Sequence, residues 1–383
     1  MRPIKKFLLS FALLLFCFIY GLGVGLYKWF PYAPLKFVQD SITISISSEP
    51  TNEESLLKIS KNNEELLADL AKTNNIDLYE SLDESKSLLS SKESNSMRFI
   101  SYGDNPYIQE DRAEEVMKGL INSINNEKAS LIFHVGDTKD NNSPCTNSST
   151  NIQRNIMNSF NAPVLYTPGD NEWLDCSGSN KGEAHSSERL AHIRKTFFSN
   201  KRTLGRNPSV VENQIITGYP ENARLSVGDV AFMTAHVVGG NNNFDPLSKQ
   251  NTLEYFQRDA ANIKWITESF ERYKNASAYV VAIHANILYD SGAPLLQYSN
   301  FANALFELSN KYQKPVLLLN GDQHSFKAFQ PNKEKYPFLH AVRNFGWPDL
   351  KAIEIEVNPS KNIPFNVIKI IGGRYNFTTT KVS

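Results

Sequence analysis

Carboxylate and imidazole side chains follow five short apolar runs of this chain, each at the point where the run ends. The runs are MRFISY, ASLIFHV, APVLYT, AYVVAI and KPVLLL, and their composition is typical of buried β-strands. The side chains that follow them are Asp104, Asp137, Asp170, His284, Asp322 and His324. All four aspartates come directly after a glycine. Because ligands bind at the carboxyl ends of the strands in an α/β sheet, these six side chains are predicted to meet in one crevice.

Four carboxylates in one crevice would repel each other and raise each other's pKa values unless cations compensated their charge. Aspartate oxygen and histidine nitrogen are common ligands of divalent manganese, iron, zinc and magnesium. A single Gly-Asp pair after a strand is usually a turn in which the aspartate caps a helix. Here the pair recurs at four strand ends and two histidines accompany it, so the pattern predicts a metal site.

Helical patterns separate several of the apolar runs. Apolar residues recur at helical spacing in residues 111–128, 186–198, 252–274 and 300–313. This alternation of strands and helices predicts an α/β fold with a parallel sheet and right-handed crossovers. Near the C-terminus, LKAIEIEVNPS and FNVIKIIGG alternate apolar and polar residues, which predicts two strands with one exposed face each.

The ordered motifs resemble those of the calcineurin-like metallophosphoesterases, whose order is Asp, Gly-Asp, Gly-Asn-His, His and Gly-His-x-His. The resemblance runs from about Met97 to the C-terminus, and it is greatest to an exported bacterial branch with GDNEW in place of Gly-Asn-His-Glu. The segments PENARL and HVVGGNNN and the pair Cys145 and Cys176 also resemble that branch. The resemblance implies a metallophosphoesterase domain over residues 96–383, a β-sandwich flanked by helices in four layers, αββα.

The resemblance also implies a dinuclear metal centre with a role for each of the six side chains. Asp104 and His324 would hold the first metal ion, and Asp137 would bridge both ions. The second ion would be held by Asp170, His284 and Asp322. The substrate implied is a phosphate ester, hydrolysed by a water molecule that the two metal ions activate.

Three positions depart from the family pattern at the metal ligands. Asp170 and Asp322 stand where the family has Asn and His, which makes the site more anionic and favours Mn, Fe or Mg over Zn. Pro106 stands where the first motif usually has a histidine, so the first metal ion is expected to be held less tightly.

Two further residues are candidates for catalysis. Asn171 occupies the place of the family's histidine near the leaving group, and an amide can donate a hydrogen bond but cannot deliver a proton. His236 ends another strand-like run and precedes three asparagines, Asn241 to Asn243. It is either a replacement acid or phosphate contact, or a buried histidine that supports the fold.

The first 95 residues differ in composition from the rest. Basic residues precede a long apolar run, residues 7–27, and roughly 20 apolar residues suffice to span a bilayer. Residues 1–30 are therefore a signal anchor or a cleaved signal peptide, and residues 31–95 are a polar stalk or linker. Either reading exports the domain, which is then held at the membrane in the periplasm or outside the cell, or is secreted.

The predicted export affects the expected oxidation state of the cysteines. Cys17 lies in the apolar run, which leaves Cys145 and Cys176 in the remainder of the chain. A pair of cysteines in an oxidising compartment favours a disulfide, and two unrelated thiols are the alternative.

Two functions of different kinds follow from these patterns. One is an exported, metal-dependent phosphoesterase, and the other is a metal-bearing binding protein whose catalysis has weakened because Asn171 replaces the histidine. A structural envelope protein stabilised by metal ions is a third reading. The formal net charge of zero gives no basis for a nucleic-acid-binding surface, and the sequence leaves the substrate and the oligomeric state open.

Overall fold

The computed structural model describes residues 97–176 and 185–375. The strands form two mixed sheets, and the first has the order β12-β11-β1-β2-β3. Its strands are β1 (Met97–Tyr102), β2 (Ile132–His134), β3 (Val164–Tyr166), β11 (Asp349–Val357) and β12 (Phe365–Arg374). The first three are parallel to each other, while β11 is antiparallel to β1 and β12 to β11.

The second sheet has the order β4-β5-β6-β7-β8-β10-β9. Its first four strands are β4 (Glu212–Gln214), β5 (Tyr219–Val227), β6 (Val230–Thr234) and β7 (Ala278–Ala282). The others are β8 (Val316–Asn320), β9 (Lys327–Phe329) and β10 (Leu339–Arg343). Strands β6, β7, β8 and β10 run parallel, and antiparallel strands lie at both edges of the sheet.

The helices cover the outer faces of the two sheets. The five long helices that do so are α1 (Ala113–Asn125), α2 (Asn147–Asn158), α3 (Ser186–Phe197), α4 (Lys249–Arg272) and α5 (Ser299–Tyr312). Apolar residues of α1, α2 and α3 pack on the first sheet, and those of α4 and α5 pack on the second. A third core joins the inner faces, with Phe99 and Phe133 of one sheet against Phe232 of the other. The described residues therefore form four layers, α, β, β and α.

The single parallel sheet expected from the strand and helix alternation is wrong. The five apolar runs divide between the sheets, with β1, β2 and β3 in the first and β7 and β8 in the second. Both sheets are mixed because hairpin-connected strands extend them. The strand β11 also differs from its pattern, since Ala352 packs toward the helices and Ile353 toward the other sheet, so both of its faces are covered. The strand β12 keeps exposed residues, among them Ile370.

The N-terminal predictions lie outside the described residues. This holds for the apolar run at residues 7–27, the signal segment 1–30 and the stalk 31–95. Within residues 97–176 and 185–375, no helix is both long enough and apolar enough to cross a membrane.

Candidate metal centre

The six predicted side chains lie in the loops that follow β1, β2, β3, β7 and β8. Backbone hydrogen bonds join these loops, since the amide of Asp104 donates to the carbonyl of Gly136 at 2.8 Å. The amide of Gly321 donates to the carbonyl of His284 at 2.9 Å, within the second sheet. Between the sheets, the amide of Asp322 donates to Oδ1 of Asp104 at 3.0 Å. The two sheets therefore contribute to one cluster of side chains at the carboxyl ends of their strands.

Two groups of three potential ligands share His284. Asp170, His284 and Asp322 form one group and Asp104, Asp137 and His284 form the other, with the ligand atoms of each group within 4.8 Å of one another. The Nε2 atom of His284 lies 2.9 Å from Asp170, 3.5 Å from Asp137 and 3.9 Å from Asp322. The group of Asp170, His284 and Asp322 consists of the three residues that the family resemblance assigns only to the second metal ion.

His324 lies at the side of this cluster. Its Nε2 atom is 3.5 Å from Oδ1 of Asp104, the residue with which it was predicted to hold the first metal ion. It belongs to neither group of three, and its side chain is 30% exposed. The cluster therefore opens to solvent on the side of His324.

Both histidines are oriented so that one nitrogen faces the carboxylates. Nδ1 of His284 lies 2.8 Å from the carbonyl oxygen of Val135, and Nδ1 of His324 lies 2.9 Å from that of Trp347. A backbone carbonyl only accepts hydrogen bonds, so each Nδ1 carries the proton that it donates. This is the usual support for a metal-binding histidine, because it leaves Nε2 free to ligate an ion.

Four of the six side chains come from residues with a left-handed backbone conformation. The φ angles are 53° for Asp104, 54° for Asp137, 72° for Asp322 and 56° for His324. This conformation is uncommon for residues other than glycine and costs on the order of 1–3 kcal/mol at each position. Such costs concentrate at functional sites, where the surrounding structure holds the backbone in place.

The glycines before the aspartates allow the strand ends to approach closely. A Cβ atom on Gly169 would lie 2.0 Å from Oδ1 of Asp137, and one on Gly321 would lie 2.3 Å from Oδ2 of Asp104. Any larger residue at these two positions would displace a carboxylate of the cluster. The repeated Gly-Asp pair therefore serves the packing of the site as well as the turn.

The cluster suits a pair of metal ions by its charge. Burial, and then the neighbouring carboxylates Asp322 and Asp170, raise the pKa of Asp104 to about 8 against the opposing attraction of His284. Burial would lower the pKa of His284, but the charges of Asp137 and Asp170 outweigh it and raise this pKa well above its usual value. Oδ2 of Asp104 is buried and has no hydrogen-bond partner among the described residues. Without metal ions, the cluster therefore binds protons at the positions that cations would occupy.

Metal binding is expected to release protons and to strengthen with pH. Below about pH 8 the metal-free Asp104 carboxyl holds a proton that an ion must displace, so affinity should rise as pH increases toward 8. Isothermal titration calorimetry with Mn²⁺ at pH 7, in buffers of different ionisation enthalpy, counts these protons. We expect proton release from the wild-type protein, and about one proton fewer per protein for Asp104→Asn. No proton release in the wild-type protein would contradict this charge distribution.

Asn171 is held against the central carboxylate rather than free in the crevice. Its amide nitrogen donates to Oδ1 of Asp137 at 3.0 Å, and its Nδ2 donates to Oδ2 of Asp137 at 2.6 Å. Nδ2 also donates to the carbonyl of Lys139 at 3.0 Å. The Lys139 ammonium in turn donates to the carbonyl of Asn171 at 3.0 Å, so the loops after β2 and β3 clamp each other. Asn171 thus orients Asp137, a role beyond the substrate contact predicted from the sequence.

Tyr107 is a residue of the site that sequence reasoning missed. Its hydroxyl donates to Oδ2 of Asp137 at 2.9 Å and lies 3.1 Å from Nε2 of His324. Burial, and then the charges of Asp137 and Asp104, raise the pKa of Tyr107 far above its usual value, so the phenol keeps its proton in the metal-free protein. It follows Pro106, the position at which the family pattern has a histidine. The only indication of Tyr107 in the sequence was that Pro106, the residue before it, departs from the family pattern.

His236 belongs to a buried polar network and to neither group of three potential ligands. Its ring is fully buried, with Nδ1 2.8 Å from Oε1 of Glu221, which also accepts from Arg194 at 2.6 Å. Burial would raise the pKa of Glu221, but the hydrogen bond from His236 and the charge of Arg194 outweigh it and lower this pKa to about 2. Burial lowers the pKa of His236, whose Nε2 has no partner among the described residues. This position supports β5 and β6, and a catalytic part for His236 stays a prediction.

A disulfide joins Cys145 to Cys176, with 5.6 Å between their Cα atoms. It links the chain just before α2 to the helical turn Leu174–Cys176 that follows Asp170. The sulfur atoms were predicted to pair, and the two unrelated thiols of the alternative reading are excluded in this structure. The bond ties the two loops that carry Asp137 and Asp170.

Removing this bond is expected to destabilise the protein by about 3–4 kcal/mol. A closed loop of 31 residues reduces the entropy of the unfolded chain by that amount in the chain-entropy model. Urea unfolding of a Cys145→Ser/Cys176→Ser double variant measures the change, and the reduced wild-type protein is its control. Equal unfolding midpoints for the oxidised wild type and the double variant would contradict the estimate.

Comparison with known proteins gives matches among solved structures alone. No family model matches the chain, and no curated protein matches it. A dimetal phosphatase from Danio rerio is 9% identical, with a TM-score of 0.45, over 73% of this chain and 99% of its own. A purple acid phosphatase from yellow lupin is 15% identical, with a TM-score of 0.39, over 75% of this chain and 55% of its own. A 5'-nucleotidase from Candida albicans is 11% identical, with a TM-score of 0.35, over 70% of this chain and 48% of its own.

These solved structures are calcineurin-like metallophosphoesterases. This is the superfamily that the sequence motifs resemble.

Proposed function

We propose that this protein is a metal-dependent phosphoesterase that hydrolyses a phosphate ester with a metal-activated water molecule. The observation that carries the proposal is the meeting of four aspartates and two histidines at the strand ends of both sheets, with each histidine Nε2 turned toward a carboxylate. Most of these side chains are held on left-handed backbone that a plain turn would not need.

In this proposal Asp104 and His324 would hold the first of two divalent ions, Asp137 would contribute to both, and Asp170, His284 and Asp322 would hold the second. The ions would lower the pKa of a bound water molecule and stabilise charge on the phosphoryl group. Because aspartate oxygens dominate the ligand set, Mn, Fe or Mg ions are favoured over Zn.

The protein's own groups orient the reaction. Asn171 and Tyr107 both donate hydrogen bonds to Oδ2 of Asp137, which holds the bridging carboxylate in one orientation. Both hydrogens of the Asn171 amide are used by Asp137 and Lys139, and the amide has no proton to give to the leaving group. The leaving group must therefore depart as an anion or take its proton from solvent, which favours substrates with acidic leaving groups.

We also place the protein outside the cytoplasm, anchored to the membrane or secreted. Support comes from the basic residues that precede the apolar run at residues 7–27, and from the disulfide between Cys145 and Cys176. Protease added to intact and to permeabilised cells tests the location. Export would be contradicted if the protein were degraded only after the inner membrane is opened and if Cys145 and Cys176 were both reduced.

The alternative is a metal-bearing binding protein with weakened catalysis. The observation that favours it is the position of Asn171, whose side chain is fully engaged with Asp137 and Lys139 and supplies no acid. Such a protein would bind two metal ions and phosphate without turnover. The phosphoesterase and the binding protein differ in rate alone, so kinetics decides between them.

Metal analysis combined with a phosphoester panel tests the proposed function. The full-length chain is loaded with Mn²⁺, Fe²⁺ or Zn²⁺, its metal content is measured, and turnover is followed on nitrophenyl and alkyl mono- and diesters. We expect two ions per chain and turnover of the nitrophenyl esters. Two bound ions without turnover on any ester would favour the binding protein, and absence of metal binding would remove both.

A further inference from the structure

Residues 239–243, which follow β6 in the chain, lie against two of the ligands proposed for the second metal ion. A Cβ atom on Gly239 would lie 2.6 Å from Oδ1 of Asp170, and the backbone amide of Gly239 donates a hydrogen bond to the same carboxylate. Just before this segment, the carbonyl of Val237 accepts from the amide of His284 at 3.1 Å. Movement of this backbone would therefore shift both ligands.

Four consecutive residues of this segment have a left-handed backbone conformation. The φ angles are 57° for Gly240, 56° for Asn241, 55° for Asn242 and 66° for Asn243. Asparagine adopts this conformation more readily than most residues, but it normally does so as a single residue. A run of four therefore needs contacts from outside the segment to hold it in place.

These contacts come from Arg258 of α4, whose side chain is fully buried. Its Nη1 donates to Oδ1 of Asn242 at 2.6 Å and to the carbonyl of His236 at 2.8 Å, and its Nη2 donates to the carbonyl of Asn242 at 2.9 Å. Oδ1 of Asn242 also accepts from the amide of Val238 at 3.2 Å. One guanidinium group thus binds the backbone both before and after Gly239.

The charge of Arg258 is paired, as a buried charge must be. Its Nε donates to Oε1 of Glu254 at 2.6 Å, and Oε2 of Glu254 accepts from Nδ2 of Asn243 at 2.8 Å. The Cζ atom of Arg258 also lies 5.5 Å from the centre of the Trp173 ring, which belongs to the loop that carries Asp170. Arg258 therefore contacts both of the backbone segments that adjoin Asp170.

We infer that Arg258 is a positioning residue of the metal centre, which holds Asp170 and His284 toward one ion by fixing residues 239–243. The inference rests on the two-ion site of the proposed function, and it concerns the arrangement of the ligands, not turnover. An arginine that only stabilised α4 would need no more than its pair with Glu254. The planar guanidinium reaches three acceptors of the segment at once, whereas a lysine would keep the charge and lose this hold.

Titration of the full-length chain with Mn²⁺ tests the inference. In isothermal titration calorimetry, we expect Arg258→Lys and Asn242→Gly each to weaken one of the two Mn²⁺ sites at least about tenfold and to change the other less than about threefold. Glycine adopts the left-handed conformation freely, so Asn242→Gly removes the contact with Arg258 and keeps the backbone allowed. Electron paramagnetic resonance should show coupled ions in the loaded wild type and a larger share of isolated Mn²⁺ in both variants.

Matched controls separate positioning from a general loss of stability. Arg224→Lys changes an arginine that is also paired with a carboxylate and lies 4.3 Å from the ring of Trp265 in α4. Asn241→Gly makes the same substitution as Asn242→Gly one residue earlier, at an exposed position. Both controls should keep two Mn²⁺ sites of wild-type affinity. Gly239→Ala, which adds a Cβ atom against the carboxylate, should weaken the same site as Asn242→Gly.

Urea unfolding of the metal-free protein separates the inference from the proposed function. If residues 239–243 position Asp170, the changes in unfolding free energy caused by Asn242→Gly and by Asp170→Asn should not add, whereas those of Asn241→Gly and Asp170→Asn should. Unchanged Mn²⁺ sites in both Arg258→Lys and Asn242→Gly, or additive effects of Asn242→Gly and Asp170→Asn, would overturn the inference. Two bound ions without turnover, or no bound ion in the wild type, would instead count against the proposed function, and the metal-free comparison would still decide the inference.

Discussion

Replacing Asp137 by Asn is expected to lower kcat/KM by at least about a thousandfold and to reduce metal content below two ions per chain. Both oxygens of Asp137 are engaged at the centre of the cluster, with Oδ1 3.5 Å from Nε2 of His284 and Oδ2 accepting from Tyr107 and Asn171. An amide offers one oxygen, and its NH₂ group would face the donors of Tyr107 or Asn171. Steady-state kinetics and elemental analysis of the loaded protein measure the two effects.

The stability of the metal-free protein distinguishes this loss from misfolding. Burial raises the pKa of Asp137 well above its usual value, with the neighbouring carboxylates adding to the effect, so at neutral pH folding must bury its charge or protonate it, and either costs stability. The metal-free Asp137→Asn protein should therefore unfold at the same urea concentration as the wild type or at a higher one. Asp111→Asn, at an exposed position of the turn Glu110–Arg112, is the matched control and should keep activity and metal content. Wild-type kinetics in Asp137→Asn with two ions bound would contradict the bridging role.

The strands that carry the site were predictable because their signals are local. A short apolar run that ends in Gly-Asp or in His needs no information from elsewhere in the chain, and β1, β2, β3, β7 and β8 all lie where such runs stand. Their division between two sheets was not predictable from strand and helix alternation. Pairing depends on contacts between distant segments, such as β1 with β11, which the length and composition of a run do not encode. The family resemblance, not the periodicity, implied two sheets.

The contacts of the site also divide into those that the sequence predicts and those that it does not. The six candidate ligands followed from residue type and place, whereas the position of Tyr107 depends on how the chain turns after Asp104 and could not be read from spacing. The same limit applies to His236, whose partner Glu221 lies 15 residues away on the neighbouring strand. A histidine after a strand has the same sequence signal whether its ring faces a crevice or a buried carboxylate.

Replacing Asn171 by His is expected to accelerate hydrolysis of alkyl phosphate esters by about a hundredfold and to change nitrophenyl esters little. A general acid typically contributes 10²–10⁴-fold, and the benefit is smallest when the leaving group is already a stable anion. In the wild type the Asn171 amide donates to Asp137 and Lys139 and has no proton to transfer. The wild-type rate should therefore fall steeply as the leaving-group pKa rises, and the dependence should flatten in Asn171→His.

The pH dependence of the hydrolysis rate tests the Asn171→His prediction independently. An acid works only while protonated, so the gain in Asn171→His should disappear as pH rises through the pKa of the new imidazole. Asn171→Gln is the matched control, because it keeps an amide without a transferable proton and should show neither the gain nor the new descending limb. If Asn171→His retains two ions and still fails to accelerate alkyl esters, the missing acid is not what limits the rate. The limit would then lie in how Asp137 is oriented, since the Asn171 side chain and backbone both donate hydrogen bonds to it.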